Sequence, residues 1–394
     1  MGLRFVFGRG GSGKSTYLLN EIKTRVQDNE TSPVILLVPE QYSFEMEKRV
    51  SSLYLGKEKV KTQELPLPEV GDYDVLIQNI YSSICGTDVA VFMHGPNTGH
   101  KVNVGGEFGH ETISRIVKVG KEVKDFKVAD RVYPYSLYAK DDTSRAGTLG
   151  GFSEYILVPN VKKNHSLYQV DKRISDKLAS LIEPFTVGCR GARRGMIPSG
   201  QGYVKEQNAV VFGGGTIGIA AAVAFKYFGM EKVMICDYSA YRLEIAKKLG
   251  FETCNLQVDD FINHAKEYFG MAYSLNGPTA NIDCWLDAAG AKSILDDFLK
   301  LGKIESRFVS VAVNKEPRSI DLLHMTYAQQ SIIGSGGYMK EDVDDVQEIM
   351  ACGKWNLESM ITHEFPLEQY TEKEREQHEI DMMFFMLTNI LTES

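Results

Sequence analysis

The chain has 394 residues, is 43% hydrophobic and 24% charged, and carries a net charge of −8. That length leaves room for two or three domains of roughly 100–200 residues each. The acidic balance argues against a nucleic-acid surface, which shows as a basic patch, and no apolar run approaches the ~18 residues of a membrane helix. Met1–Phe7 lacks the long apolar stretch of a secretory signal, and the residues after Gly2 do not fit the myristoylation pattern. The six cysteines are scattered, with no C-x-x-C pair. They point to a reduced, cytoplasmic protein in which most of them act as small buried hydrophobes.

Residues 1–48 read as strand, glycine loop, helix and strand, the strands being Leu3–Phe7 and Pro33–Val38. The loop Gly8-Arg9-Gly10-Gly11-Ser12-Gly13-Lys14-Ser15 matches the phosphate-loop pattern in full. Gly8 and Gly13 frame backbone N–H groups that would wrap phosphates, Lys14 would reach the terminal ones, and Ser15 would bind Mg2+. A working NTPase also needs a carboxylate for Mg2+ and a residue that positions water. No partner strand supplying them is evident before residue 49, so ATP and Mg2+ at this loop form an alternative reading. So small a unit also buries too little surface to be stable alone.

Residues 49–198 are rich in Val, Gly and Pro, with short runs such as Val75–Ile77 and Ile113–Val119. The pattern predicts an all-β, barrel-like domain. From 199 to 340 apolar strands alternate with helical stretches: Ala209–Phe212, Ile217–Phe228, Val233–Cys236, Ala240–Leu249, Ile282–Leu286 and Phe308–Val313. That alternation predicts a doubly wound parallel sheet, giving an α/β protein. Residues 341–370 read as a return to the catalytic domain. Residues 371–394 open with the charge run Glu372–Glu376 and continue into the apolar Ile380–Leu391, which reads as a helical tail.

Two constellations carry chemistry. The first is Gly213-Gly214-Gly215-Thr216-Ile217-Gly218, between an apolar strand and an apolar helix. Gly213 permits the tight turn, Gly215 lets a pyrophosphate approach, and Gly218 lets helix and strand pack closely. The pyrophosphate would rest on the helix N-terminus. Asp237, at the end of the next strand, would accept ribose hydroxyls and favours NAD over NADP; Arg242 nearby tempers that preference. The second is Cys85, His110 and Glu183, all competent Zn2+ ligands that would leave a fourth position open. By spacing alone, a buried cysteine with an ordinary histidine and glutamate remains the favoured reading of these three.

Ordered motifs change that balance. Glu64–Pro68, Cys85-Gly86-Thr87-Asp88, Gly109-His110-Glu111, Asp130-Arg131-Val132, Gly151–Tyr155, Glu183-Pro184, the glycine fingerprint and Gly334-Ser335 follow one another along the chain. From about 50 to 369 the chain resembles the medium-chain, zinc-dependent alcohol dehydrogenase family, particularly its polyol and threonine dehydrogenase branch. The resemblance implies a GroES-like β-barrel catalytic domain joined to a Rossmann sheet, with the first 48 residues as a phosphate-loop-like appendage. It implies that Cys85 and His110 hold catalytic zinc and that Glu183 is the carboxylate ligand, directly or through water. It further implies that Glu111 assists ligand exchange, that Asp88 orients a ligand, and that Thr87 receives the substrate's proton. Thr186 is counted with the cofactor-binding residues.

Three departures stand out. Ala129 replaces a glycine usual in the family. Ala90 stands where many members place a relay histidine, leaving His94 or water to carry the proton. No cysteine lies between Tyr133 and Tyr155, where the family's four-cysteine lobe would fall, so one catalytic zinc and no structural zinc are expected. The first 48 residues resemble the start of the B subunit of bacterial ATP-dependent helicase–deoxyribonuclease, and the last sixteen resemble manganese-dependent inorganic pyrophosphatase. The leading expectation is an NAD-dependent, homo-oligomeric oxidoreductase acting on a small secondary alcohol or polyol, with neither nucleic acid nor membrane as partner. The alternatives are an ATP-binding module and an inactive chimera.

Overall fold

The computed structural model describes residues 64–94, 102, 106–140, 149–199, 202–204, 207–314, 317–367 and 385–388. The phosphate-loop assignments to Gly8, Gly13, Lys14 and Ser15, and nearly all of the tail, lie outside these residues. Among the described residues no helix is long and apolar enough to cross a membrane.

The first part runs β1 (Val75–Ser83), α1 (Gly86–His94), β2 (Glu111–Val119), β3 (Arg131–Pro134), β4 (Tyr155–Val158) and β5 (Leu167–Gln169). Two helices follow, α2 (Asp176–Ala179) and α3 (Ile182–Gly195), then the hairpin β6 (Pro198–Ser199) and β7 (Gly202–Tyr203). The second part alternates: β8 (Asn208–Phe212), α4 (Thr216–Tyr227), β9 (Lys232–Asp237), α5 (Ala240–Lys248), β10 (Glu252–Asn255) and α6 (Phe261–Phe269). A hairpin β11 (Met271–Ser274) and β12 (Gly277–Ala280) precedes β13 (Cys284–Asp287), α7 (Lys292–Leu301), β14 (Arg307–Ser310), α8 (Leu322–Ala328), β15 (Ser331–Gly334) and α9 (Lys340–Ala351). The chain closes with β16 (His363–Pro366) and β17 (Phe385–Thr388).

Strand β1 is the spine of a seven-stranded sheet. One edge pairs with β2 along its length. The other is shared, Val75–Gln78 with β4 and Tyr81–Ser83 with β17. Val75, Ile77, Ile116, Val132, Ile156 and Leu167 form the apolar core beneath it. The second sheet is wholly parallel, in the order β10-β9-β8-β13-β14-β15. Its strand order reverses between β8 and β13, the crevice where doubly wound sheets bind nucleotides. The α/β expectation and the GroES-like and Rossmann parts it names thus describe the observed architecture.

Three local readings differ. Residues 49–198, expected to be all-β, also hold α1, α2 and α3, because the strand-rich pattern hides the short helices that join and follow the strands. The expected strand Phe308–Val313 stops at Ser310 because Val311 and Ala312 both donate to the Asp287 carbonyl, which pulls the chain off the ladder. In the tail, read as helical, Phe385–Thr388 is a strand. It lies antiparallel to β1 and parallel to β16, so backbone pairing on both sides replaces the helical hydrogen bonds. Short apolar runs serve either structure, and pairing decides between them.

Ala129 explains one departure from the family pattern. It adopts φ 73° in the turn between β2 and β3, with its N–H donating to the Ile116 carbonyl at 2.8 Å. A non-glycine residue pays roughly 1–2 kcal/mol for that left-handed conformation, and glycine returns about 0.5–1 kcal/mol of it through its freer unfolded chain. Ala129 is exposed, so nothing else depends on its methyl. Ala129→Gly is therefore expected to stabilise the protein by about 0.5–1 kcal/mol, read as a raised urea midpoint; a lowered midpoint would contradict this account of the turn.

Candidate active site

The site is built where β1 ends, where β2 begins and where α3 starts. After Ser83 the chain turns through Ile84 and Cys85 into α1. Asp88 fixes that turn. Its Oδ2 accepts from the Cys85 N–H at 2.9 Å, and its own N–H donates to the Cys85 carbonyl at 2.9 Å. Its Oδ1 lies 3.2 Å from His110 Nδ1, with both side chains almost fully buried. His110 precedes β2 directly, so its ring is held against α1 while Nε2 lies 3.9 Å from Glu111 Oε1.

Cys85, His110 and Glu111 each place one ligand atom within 4.8 Å of the others. Thr87 donates from Oγ1 to Cys85 Sγ at 3.0 Å. Ser83 donates from Oγ to Glu111 Oε2. Glu183, buried in the first turn of α3, makes a side-chain hydrogen bond with Glu111. The sequence expectation grouped Cys85, His110 and Glu183. The structure groups Glu111 with the first two and sets Glu183 against Glu111. His94 ends α1, and its side chain lies outside the described residues.

The electrostatics reflect crowded acids. Burial, reinforced by the Glu111 charge, pushes the Glu183 carboxyl up to about 8. Burial and Glu111 push the Cys85 thiol up to about 11. For His110 burial opposes the charged form, but the adjacent Asp88 outweighs it and raises the pKa. A thiol, an imidazole and two carboxyls converging in a buried pocket are the donor set of a borderline cation such as Zn2+. The Asp88–His110 pair is the arrangement that fixes the tautomer of a metal-bound imidazole, committing Nδ1 and leaving Nε2 to coordinate. The residues present fit a zinc ion.

The cofactor crevice follows from β8. Gly213 turns with φ 102°, and its N–H donates to the Cys236 carbonyl at 2.8 Å. A Cβ on Gly218 would stand 1.8 Å from the Gly213 carbonyl oxygen, so only glycine allows α4 to leave the strand this closely. Gly215 caps α4 without a side-chain hydrogen bond, and a Cβ there would meet nothing within 4 Å. The helix N-terminus is thus an open cradle for an anion. Asp237 ends β9. It accepts from the Gly214 N–H at 2.6 Å through Oδ2 and from the Ser239 N–H at 2.7 Å through Oδ1. Arg242 Nη1 lies 3.8 Å from Asp237 Oδ2. These residues fit a dinucleotide. Thr186 is fully buried in α3, its hydroxyl donating to the Ile182 carbonyl at 2.6 Å.

Sequence reasoning missed Ser83 and the tyrosines around Glu183. Tyr133 and Tyr338 share a hydrogen bond between hydroxyls, and Tyr135 Oη donates to the Tyr338 carbonyl at 2.9 Å. Burial and the charge of Glu183 raise the Tyr133 pKa. No motif marks these residues, because their roles follow from contacts between distant segments.

Comparison with known proteins identifies the family. The model for "Alcohol dehydrogenase GroES-like domain" matches residues 71–169, and that for "Zinc-binding dehydrogenase" matches residues 216–352. A model for "ADDB, N-terminal" matches residues 5–65, nearly all outside the described residues. L-threonine 3-dehydrogenase of Pectobacterium atrosepticum is 27% identical over 333 residues, covering 80% of this chain and 86% of that protein. The crystal structure of 2R,3R-butanediol dehydrogenase from Bacillus subtilis superposes with TM-score 0.68 at 21% identity, over 83% of this chain and 95% of that one. Galactitol-1-phosphate dehydrogenase from Escherichia coli gives TM-score 0.67 at 21% identity, over 83% and 96%. The structural likenesses speak for the fold, and the two dehydrogenase models, which together match more than half of the chain, carry the assignment: this chain belongs to the medium-chain, zinc-type alcohol dehydrogenase family.

Proposed function

We propose that the chain oxidises a small secondary alcohol, polyol or amino alcohol, with NAD as hydride acceptor and one zinc ion at Cys85 and His110. The observation that carries this reading is the convergence of Cys85, His110 and Glu111 on one point, with Asp88 behind the imidazole. When bound, zinc supplies a Lewis acid for the alcohol oxygen and the nicotinamide accepts hydride.

The chain's own residues do the rest. Asp88 keeps the proton on His110 Nδ1, so Nε2 offers its lone pair. Glu111 and Glu183, sharing a hydrogen bond, keep one carboxylate available while the other holds its proton. Thr87 Oγ1, beside Cys85, takes the proton of the substrate hydroxyl and hands it on. With Ala90 in place of a relay histidine, water or His94 carries that proton to solvent. Gly213, Gly215 and Gly218 seat the pyrophosphate. Asp237 receives the ribose hydroxyls and disfavours a 2′-phosphate, while Arg242 moderates the choice. The 27%-identical relative named for L-threonine 3-dehydrogenase supports an amino-alcohol substrate.

Cys85→Ser is expected to lower NADH production by more than about 100-fold, beyond the 10- to 100-fold typical of outer-shell changes, and to lower the zinc content of the purified protein. Undiminished turnover in that variant would remove the zinc reading. Asp237→Ala is expected to weaken NAD binding by about 5- to 150-fold, the worth of two hydrogen bonds at roughly 0.5–1.5 kcal/mol each, and to narrow the preference over NADP. Unchanged NAD affinity, measured by fluorescence titration of NADH, would remove Asp237 from the cofactor site.

The match of residues 5–65 supports a second reading, in which the Gly8–Ser15 loop binds ATP with Mg2+. Lys14→Ala is then expected to abolish ATP binding and leave NADH production unchanged. Equal ATP binding by variant and parent would end that reading.

A further inference from the structure

A second group of metal-ligand side chains stands apart from the active site, at the outer edge of the parallel sheet. Strand β10 pairs with β9 so that Cys254 is the register partner of Cys236 and Asn255 that of Asp237. The chain then turns sharply. Asp259 Oδ2 accepts from the Asn255 N–H at 2.7 Å, which holds that carboxylate at the turn. Asp260 caps α6 by accepting from the Asn263 N–H. Helix α6 is anchored on the sheet by Ala265 and Phe269, and His264 is carried back over β10. The result is that Cys254, Asp259 and His264 each offer one ligand atom within 4.8 Å of the others.

We propose that Cys254, Asp259 and His264 form a second cation site, selective for a divalent transition metal of the Zn2+ class. Two features argue for a ligand rather than a chance cluster. The donors are of three types, thiol, imidazole and carboxylate, a combination that suits Zn2+ and excludes the all-oxygen shells of Ca2+ and Mg2+. His264 Nε2 lies 2.8 Å from Glu252 Oε1, so the ring is oriented by a carboxylate and Nδ1 is left as the ligand. That is the outer-shell support found behind metal-bound imidazoles, built here by a residue on a different element from the histidine.

The donor atoms already lie within 4.8 Å of one another. Tetrahedral Zn2+ with thiolate, nitrogen and oxygen ligands sets donor–donor separations of roughly 3.3–3.8 Å. Cys254 is buried on its strand and supplies the fixed point. Asp259 is exposed and His264 half-buried, so both can close on it. Three protein ligands leave the fourth position to solvent. The site would pin α6 to the sheet edge one strand away from Asp237, since the Leu256 N–H donates to the Asp237 carbonyl at 3.0 Å. It lies away from the stretch that holds the family's four-cysteine lobe and raises the expected count to two cations per chain.

The test is zinc titration of the full-length protein against a chromophoric chelator, with Zn2+ itself as the probe. The parent is expected to bind one equivalent more than either His264→Ala or Asp259→Asn, with NADH production by both variants unchanged. Glu252→Gln is expected to keep the equivalent and weaken it by about 10- to 100-fold. In Cys85→Ser the equivalent should persist, and Co2+ loaded into that variant should show a thiolate charge-transfer band that His264→Ala removes. Equal stoichiometry in the parent, His264→Ala and Asp259→Asn overturns the proposal, whatever happens at Cys85.

Discussion

Four acidic groups and one imidazole share the buried space between β1, α1, β2 and α3, and the arrangement of the molecule follows from that crowding. Asp88, Glu111 and Glu183 are removed from water beside the half-buried Cys85, with His110 as the basic partner among them. Burying unpaired charge is costly, and a folded chain avoids it by pairing, hydrogen bonding or neutralising each group. All three devices are visible here. Asp88 pairs with His110 and binds the Cys85 amide. Ser83 and Thr87 donate to Glu111 and to the cysteine sulfur. Glu183 and Cys85 are pushed toward their neutral forms. A divalent cation reverses the last effect and lets thiolate and carboxylate exist together.

The same constraint explains how this pocket is tied to the cofactor crevice. Helix α3 carries Glu183 in its first turn and packs along its length on α4, which is capped by Gly215. A Cβ on Gly188 would stand 2.6 Å from the Ala220 Cβ, so the two helix backbones cross in close contact. Across the site, Tyr338 lies just beyond β15 of the parallel sheet, yet it hydrogen-bonds to Tyr133 of β3 and to Tyr135 just after it. Close-packed interiors transmit position rather than absorb it. The metal pocket and the glycine turn are therefore held at a set separation by α3 and by the tyrosine cluster.

How much of this the sequence showed depended on distance along the chain. The glycine fingerprint was legible because its physics is local: the strand, the turn and the helix are consecutive, and β8, β9, α4 and α5 lie within a residue or so of their expected bounds. The metal pocket was not legible from spacing, since Cys85, His110 and Glu183 meet only through tertiary structure; ordered motifs supplied it instead. The nearness of Glu111 to Cys85 and the contact of Glu183 with Glu111 are hidden in the sequence because they depend on how α1 and α3 approach β2. The helical reading of the tail fails at Phe385–Thr388 because a short apolar run fits a helix or a strand equally, and the edge of β1 decides. In the sequence Cys254 reads as one more buried hydrophobe, and only the turn at Asp259 and the placement of α6 bring it to His264.

The central claim is that a cation occupies the Cys85–His110–carboxylate pocket beside the nicotinamide. Anomalous diffraction at the zinc edge, from crystals grown with zinc and NADH, addresses it directly. The account requires a peak about 2.3 Å from Cys85 Sγ and about 2.0–2.1 Å from His110 Nε2, with nucleotide density running over Gly215. Crystals with fully occupied nucleotide and no anomalous peak in this pocket, from protein that turns over an alcohol, would contradict it.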